Sequence, residues 1–299
     1  LHDTPSPVSH NGFAGWTEDD KAFLVYDYTD IWRLDPAGKM DPINLTAGHG
    51  ARNQIRYRYI NLDRDKDYIP ENGILLANMF NLKTKASGYA GFYTDQPSQP
   101  HILLTDDFAF TAEQKAENAD VLVYKRSSFT EYPDLWVSDM KFRKQEKISL
   151  ANPQQEEYLW GTAELVEWTS YAGELLQGIL YKPENFDPSK KYPLMVYFYE
   201  RYSDALHRHI PPRPGHNVNF TQYVSNGYLV FLPDISYTTG YPGESAYNAV
   251  VSGTRHLIDK YPFIDRERIG MQGHSWGAYQ VCYIITRTNL FRAAEAGAP

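Results

Sequence analysis

Near the end of the chain a strand, a tight turn and a helix follow one another without a break. Arg268 to Gln272 reads as the strand, Gly273-His274-Ser275-Trp276-Gly277 as the turn, and Val281 to Ile285 as part of the helix. The turn fits G-x-S-x-G, the nucleophile-elbow pattern, whose physical requirement is this strand–turn–helix setting. There the serine is held in a strained conformation at the carboxyl edge of a sheet, its hydroxyl clear of the backbone. A Cβ at Gly273 or Gly277 would collide with the adjoining helix or strand, and Ala278 keeps the next position small. Ser275 is therefore the candidate nucleophile, with Gly273 and Gly277 shaping the elbow.

The surrounding sequence, residues 161–299, has the texture of an α/β domain with a mainly parallel sheet. Leu194 to Tyr199 and Tyr228 to Leu232 are nearly continuous apolar runs, as strands buried on both faces require. Gly178 to Tyr181 is a further strand, and Pro183 to Tyr192 a polar loop. Ala246, Ala249, Val250, Gly253 and Leu257 recur at helical spacing. Phe291 to Ala298 reads as the next strand. Alternating strands and helices give parallel pairing with crossovers.

Residues 1–160 read differently, as short strands divided by turns. Phe23 to Tyr26, Ile74 to Ala77 and Val121 to Tyr124 begin at positions 23, 74 and 121, a period of about 50. Each is followed by a second strand, at Asp30 to Leu34, Gly88 to Tyr93 and Pro133 to Val137. Two short strands, Ile43 to Leu45 and Ile148 to Leu150, complete the first and third repeats. Several strands per repeat at that period are the signature of β-propeller blades. About three blades cannot close a ring, so a partial propeller is expected.

The formal charge of −8 and the lack of a basic stripe argue against nucleic acid as partner. No apolar run approaches the length that spans a bilayer. Leu1 to Pro5 shows no signal-peptide pattern and no initiating Met, which suggests that the chain begins inside a longer protein and leaves its compartment undefined. The single cysteine, Cys282, excludes an internal disulfide or a thiolate metal cluster, and its apolar helical setting predicts a buried packing thiol. No metal or cofactor is implied.

A serine hydroxyl needs a base to take its proton. In the elbow fold the partners follow in the order Ser, Asp or Glu, His. All nine histidines, the last being His274, precede or adjoin Ser275 on its N-terminal side, and only one acid, Glu295, follows it. The triad Asp and His are thus expected downstream of Pro299, and the fragment alone should be close to inert. A sheet ending near Ala298 would also expose an apolar edge, so residues 161–299 alone are expected to aggregate or need a partner. His207, His209 and His216, in the Pro-rich excursion after the Tyr199 strand, read as loop residues. His274 reads as a packing residue.

The second half resembles the prolyl oligopeptidase family of serine peptidases, with its dipeptidyl peptidase IV and acylaminoacyl-peptidase branches. The resemblance runs through Gly178 to Pro183, Phe186 to Pro188, Lys191 to Pro193, Gly240 to Gly243, Arg268 to Gly270, Gly273 to Tyr279 and Ala293 to Pro299. It implies an N-terminal β-propeller followed by a C-terminally incomplete α/β-hydrolase domain, and hydrolysis of short peptides through an acyl-enzyme. It also implies an oxyanion hole built from the Trp276 backbone N–H and a Tyr hydroxyl that, counted from Pro193, falls on Tyr199. The sequence departs from the family twice. Glu200-Arg201 follows Tyr199 where small residues are usual, leaving Tyr197 and Tyr202 as alternatives. Ser236-Tyr237-Thr238-Thr239 replaces the usual Arg-Gly step, so loop contacts to substrate are expected to differ. No paired-Glu element supports a dipeptidyl-peptidase specificity. An esterase on the same fold, or a non-catalytic propeller-bearing binding protein, are the competing readings, and homo-oligomerisation is left open.

Overall fold

The computed structural model describes Thr4, Pro7 and residues 9–299; the reading of the N-terminus as lacking a signal pattern falls mostly outside the described residues. The chain divides into two compact units, Ser9–Ala151 and Asn152–Pro299. The boundary expected near residue 160 falls earlier because the intervening segment packs with the second unit. There Trp160 N–H donates to Glu184 Oε2 at 2.8 Å, and its indole stacks on His209 at 5.0 Å.

The first unit consists of three four-stranded antiparallel sheets, each with its strands in sequence order. The first sheet holds β1 (Phe13–Trp16), β2 (Phe23–Tyr26), β3 (Ile31–Leu34) and β4 (Ile43–Asn44). A short helix, α1 (His49–Asn53), leads to the second: β5 (Ile55–Tyr59), β6 (Ile74–Asn81), β7 (Ser87–Tyr93) and β8 (His101–Asp106). The third holds β9 (Ala109–Lys115), β10 (Leu122–Ser127), β11 (Asp134–Ser138) and β12 (Gln145–Lys147).

Strand periodicity lets the middle sheet serve two cores, because successive side chains point to opposite faces. Ala77, Met79, Ala90 and Phe92 pack with Leu24, Ile31 and Tyr57 on one side. Leu76 and Tyr89 pack with Phe110, Leu122, Tyr124 and Phe142 on the other. The strand expected at Ile148 to Leu150 lies at Gln145–Lys147 instead. Only Ile148 N–H continues the pairing, to Leu135 O, while the Ile148 and Leu150 side chains are exposed. Their apolar character therefore marks neither strand pairing nor core.

The second unit is a six-stranded mixed sheet in the order β13-β14-β16-β15-β17-β18. Its strands are β13 (Thr162–Thr169), β14 (Leu175–Lys182), β15 (Tyr192–Tyr197), β16 (Leu229–Pro233), β17 (Ile264–His274) and β18 (Ala293–Gly297). The pairings β15 with β16, β15 with β17 and β17 with β18 are parallel. Those of β14 with β13 and with β16 are antiparallel. Three helices accompany the sheet: α2 (Phe220–Ser225), α3 (Pro242–Lys260) and α4 (Trp276–Ile285).

All five residues of β16 are buried, which explains its unbroken apolar sequence. Pro242 opens α3 at a position where its missing N–H costs nothing. Glu244 in the first turn and Lys260 in the last match the helix dipole. Ala246, Val250 and Leu257 of α3 and Val281 and Ile284 of α4 pack with Val196, Phe231, Ile269 and Met271 of the sheet. A fully buried aromatic such as Phe231 is worth about 3–5 kcal/mol against Ala. Cys282 corrects the sequence reading. It is exposed, because α4 buries Gly277, Ala278, Gln280, Val281 and Ile284 and turns Cys282 away from that face. Among the described residues no helix is long and apolar enough to cross a membrane.

Candidate active site

β17 is flanked by parallel neighbours on both sides, β15 and β18, so its carboxyl end opens at the edge where the intervening loops gather. Ser275 stands there, between β17 and α4, with φ 52° and ψ −116°. That conformation lies outside the well-populated regions for an L-residue and stores about 1–3 kcal/mol of strain. Several bonds hold it. Ser275 N–H donates to Gly297 O at 2.8 Å, and its carbonyl accepts from the N–H groups of Ala278 and Tyr279 at 2.9 and 3.2 Å. The residue is exposed.

The two elbow glycines answer a demand for space, since neither has a positive φ. A Cβ at Gly273 would lie 2.3 Å from Gly277 O, and one at Gly277 would lie 2.6 Å from Phe198 O. α4 thus sits directly against β17 and the end of β15. Trp276 is the first residue of α4, so its N–H is among those that have no intrahelical acceptor. The helix dipole adds partial positive charge at this end.

The structure brings Tyr199 to the elbow: its ring lies 3.7 Å from the place a Cβ on Gly277 would occupy. Tyr199 is half-buried, and its hydroxyl has no hydrogen-bond partner among the described residues. Tyr197 and Tyr202 are engaged with each other instead. Their rings lie 5.7 Å apart, and Tyr197 also packs on Phe220. Burial pushes both phenols up, keeping them protonated.

Two groups of contacts that sequence reading did not assign support this edge. Asp234, just beyond β16, accepts from Tyr202 N–H at 2.7 Å, Ser203 N–H at 2.8 Å and the Ser203 hydroxyl, with Arg201 Nε 4.0 Å away. Burial pushes the Asp234 carboxyl up, opposed by the bonds from Ser203 and Tyr202 and by the Arg201 charge. Behind the elbow, Tyr237 donates to Tyr199 O at 2.7 Å and accepts from Trp276 Nε1 at 3.3 Å. Gln280 Nε2 donates both to Tyr199 O, at 3.2 Å, and to the Tyr237 hydroxyl. Gln280, a polar residue inside an apolar helix, was a local signal of this arrangement.

The loop histidines reach other partners. His209 stacks on Trp160, and His216 stacks on His274 with ring centres 4.9 Å apart and planes 14° from parallel. Among the described residues, no histidine or carboxylate hydrogen-bonds the Ser275 hydroxyl. The site as described presents an exposed serine and candidate oxyanion donors, with no positioned base.

This is the architecture of an α/β unit with a strained serine between a parallel strand and a helix. Residues 219–299 match the model of the prolyl oligopeptidase family, so the family resemblance read from the sequence is borne out. Human dipeptidyl peptidase 8 is 31% identical over 157 residues, 46% of this chain and 16% of the relative. The uncharacterized peptidase YuxL of Bacillus subtilis is 26% identical over 177 residues, 51% of this chain and 26% of the relative. Among solved structures, a putative dipeptidyl aminopeptidase IV from Bacteroides ovatus superposes with a TM-score of 0.66 at 18% identity, covering 95% of this chain and 43% of that one. Pyrococcus horikoshii acylaminoacyl peptidase gives a TM-score of 0.63 at 16% identity, covering 94% and 44%. The chain therefore spans a minor part of the length of each relative named here.

Proposed function

We propose that this chain is part of a serine peptidase that hydrolyses amide bonds of short peptides through an acyl-enzyme on Ser275. The observation that carries the reading is the exposed serine at φ 52° between β17 and α4, with the first N–H of α4 beside it. A strained serine turn of this kind has little use in a purely structural role. The three four-stranded meanders of the first unit support a partial β-propeller, and the mixed sheet of the second supports an α/β-hydrolase domain.

In the proposed mechanism the Ser275 hydroxyl attacks the substrate carbonyl while a base accepts its proton. By the family's chain order that base is a histidine, oriented by an acid, from sequence following residue 299. Negative charge develops on the carbonyl oxygen, where the Trp276 N–H and the Tyr199 hydroxyl are the proposed donors. Loss of one such donor typically costs 10²–10³ in rate. The protonated base then passes its proton to the leaving amine, and water repeats the sequence to release the acid and restore the serine.

The test is to treat the full-length protein with a fluorophosphonate probe and locate the adduct by peptide mass spectrometry. An adduct on Ser275, absent in Ser275→Ala, is expected, with hydrolysis of short-peptide p-nitroanilides above that of short acyl esters. A folded full-length protein that takes no label would sink the catalytic reading.

A further inference from the structure

The Ser236-Tyr237-Thr238-Thr239 step departs from the family pattern, and the sequence alone suggests altered contacts to substrate. The structure turns its tyrosine inward instead. Tyr237 is only 4% exposed, and its hydroxyl lies among three groups of the elbow. The donor and acceptor count closes there, since a phenol offers one donor and two acceptor sites. Tyr237 donates to Tyr199 O and accepts from Trp276 Nε1 and Gln280 Nε2. The second amide hydrogen of Gln280, itself fully buried, also goes to Tyr199 O.

The Tyr199 carbonyl is thus clamped by two donors, both reaching it from behind the nucleophile turn. One comes from the loop after β16 and the other from α4, while Gly277 of α4 lies under the Phe198 carbonyl. A carbonyl held from two directions fixes the peptide plane and hence the direction in which the Tyr199 side chain leaves the backbone. We infer that Tyr237 and Gln280 are positioning residues, which set the Tyr199 phenol relative to Ser275 and so tune oxyanion stabilisation without touching substrate. Burial pushes the Tyr237 phenol up, so it remains a donor throughout the working pH range. The inference rests on the peptidase reading and on Tyr199 as an oxyanion donor.

The test is a double-mutant cycle in the full-length protein, using a chromogenic short-peptide p-nitroanilide and p-nitrophenyl acetate as probes. Tyr237→Phe removes only the hydroxyl and keeps the packing. It should lower kcat about tenfold with KM little changed, since small displacements of a reacting group carry such costs. Tyr199→Phe keeps the carbonyl clamp but removes the phenolic donor. In that background Tyr237→Phe should change kcat less than about twofold, because the group it positions is gone. Gln280→Met examines the clamp from α4 and provides the same comparison should Tyr237→Phe not fold. Losses that multiply independently in an active enzyme would overturn the inference alone. Absence of any Ser275-dependent turnover in the parent would overturn the peptidase reading and this inference with it.

Discussion

Gly273→Ala tests the claim that this turn is shaped by the closeness of α4 to β17. The added Cβ would lie 2.3 Å from Gly277 O, 2.4 Å from Gly277 C and 3.0 Å from Ala278 N. Unstrained carbon contacts lie at about 3.5–4.0 Å. All three neighbours are backbone atoms of the first helical turn, so no rotamer change gives relief and α4 must retreat by about 1 Å. Overpacking of this kind costs about 1–3 kcal/mol. Alanine returns about 0.4–1 kcal/mol by restricting the unfolded chain. A net loss of about 1–2 kcal/mol corresponds to a fall in Tm of roughly 2–8 °C for a domain of this size. The same retreat moves Ser275, so fluorophosphonate labelling should slow by up to about 10²-fold. Gly270→Ala, in the same strand, supplies the control, because its Cβ would meet nothing nearer than Met195 Cε at 3.5 Å. It should melt and label like the parent. Thermal unfolding and labelling rates of the full-length protein decide the matter: Gly273→Ala behaving like Gly270→Ala would refute the packing argument.

Three further outcomes follow from particular contacts. Ser275→Gly should abolish labelling yet raise stability by about 1 kcal/mol, since glycine tolerates the strained φ at little cost; an unchanged or lower urea midpoint would show that the turn is not strained. Asp234→Ala strips the acceptor from two N–H groups and a hydroxyl and should cost roughly 3 kcal/mol, with Asp234→Asn costing less; a loss under about 1 kcal/mol for the alanine variant would deny Asp234 its role in pinning the 201–205 loop. Burial, and secondarily the Arg52 charge, hold the His49 imidazole below its usual value, and its Nδ1 lies 2.9 Å from the Tyr57 hydroxyl. The folded state therefore favours the neutral ring, whose contribution is complete above about pH 6.5 and is lost as pH falls through the lower folded value. His256 shifts in the same direction in the other unit, so the comparison is between variant and parent. His49→Gln should lose less stability than the parent between pH 7.5 and 5.5, and equal losses would remove His49 as a source of the slope.

What the sequence made legible was whatever a period or a turn chemistry encodes locally. The apolar run at Tyr228 to Leu232 shows in chain order that a strand is covered on both faces, and β16 is that strand. The i, i+3, i+4 spacing of Ala246, Ala249 and Val250 found α3, and Gly273 to Gly277 found the junction of β17 and α4. The strands left unread are mostly half-polar ones. β5 interleaves Arg56 and Arg58 with Ile55, Tyr57 and Tyr59, and β9 carries Thr111, Gln114 and Lys115 toward solvent. Their pairing with apolar neighbours decides their state, and pairing is not a local property. Cys282 was misread for a related reason: an apolar stretch identifies a helix but does not say which face meets the sheet.

The site divides along the same line. Ser275, Gly273 and Gly277 lie within five residues, so one turn's geometry could be anticipated from spacing alone. The carbonyl clamp joins positions 199, 237 and 280, which three separate elements bring together only once β15, β16 and β17 lie side by side. No periodicity relates these positions. Two of them showed a local anomaly: a tyrosine in the segment where an Arg-Gly step is usual, and a glutamine inside an apolar helix. A buried glutamine costs free energy unless its amide is used, and here its nitrogen is used twice while Oε1 has no partner among the described residues. A helix that retains such a residue at a fully buried position, where a leucine would pack without an orphaned oxygen, is carrying a polar contact needed elsewhere. The atom it serves, Tyr199 O, is the carbonyl of the residue proposed to meet the oxyanion. The packing anomaly and the proposed chemistry therefore have the same physical origin, and Gln280→Met should separate them by sparing stability while lowering kcat.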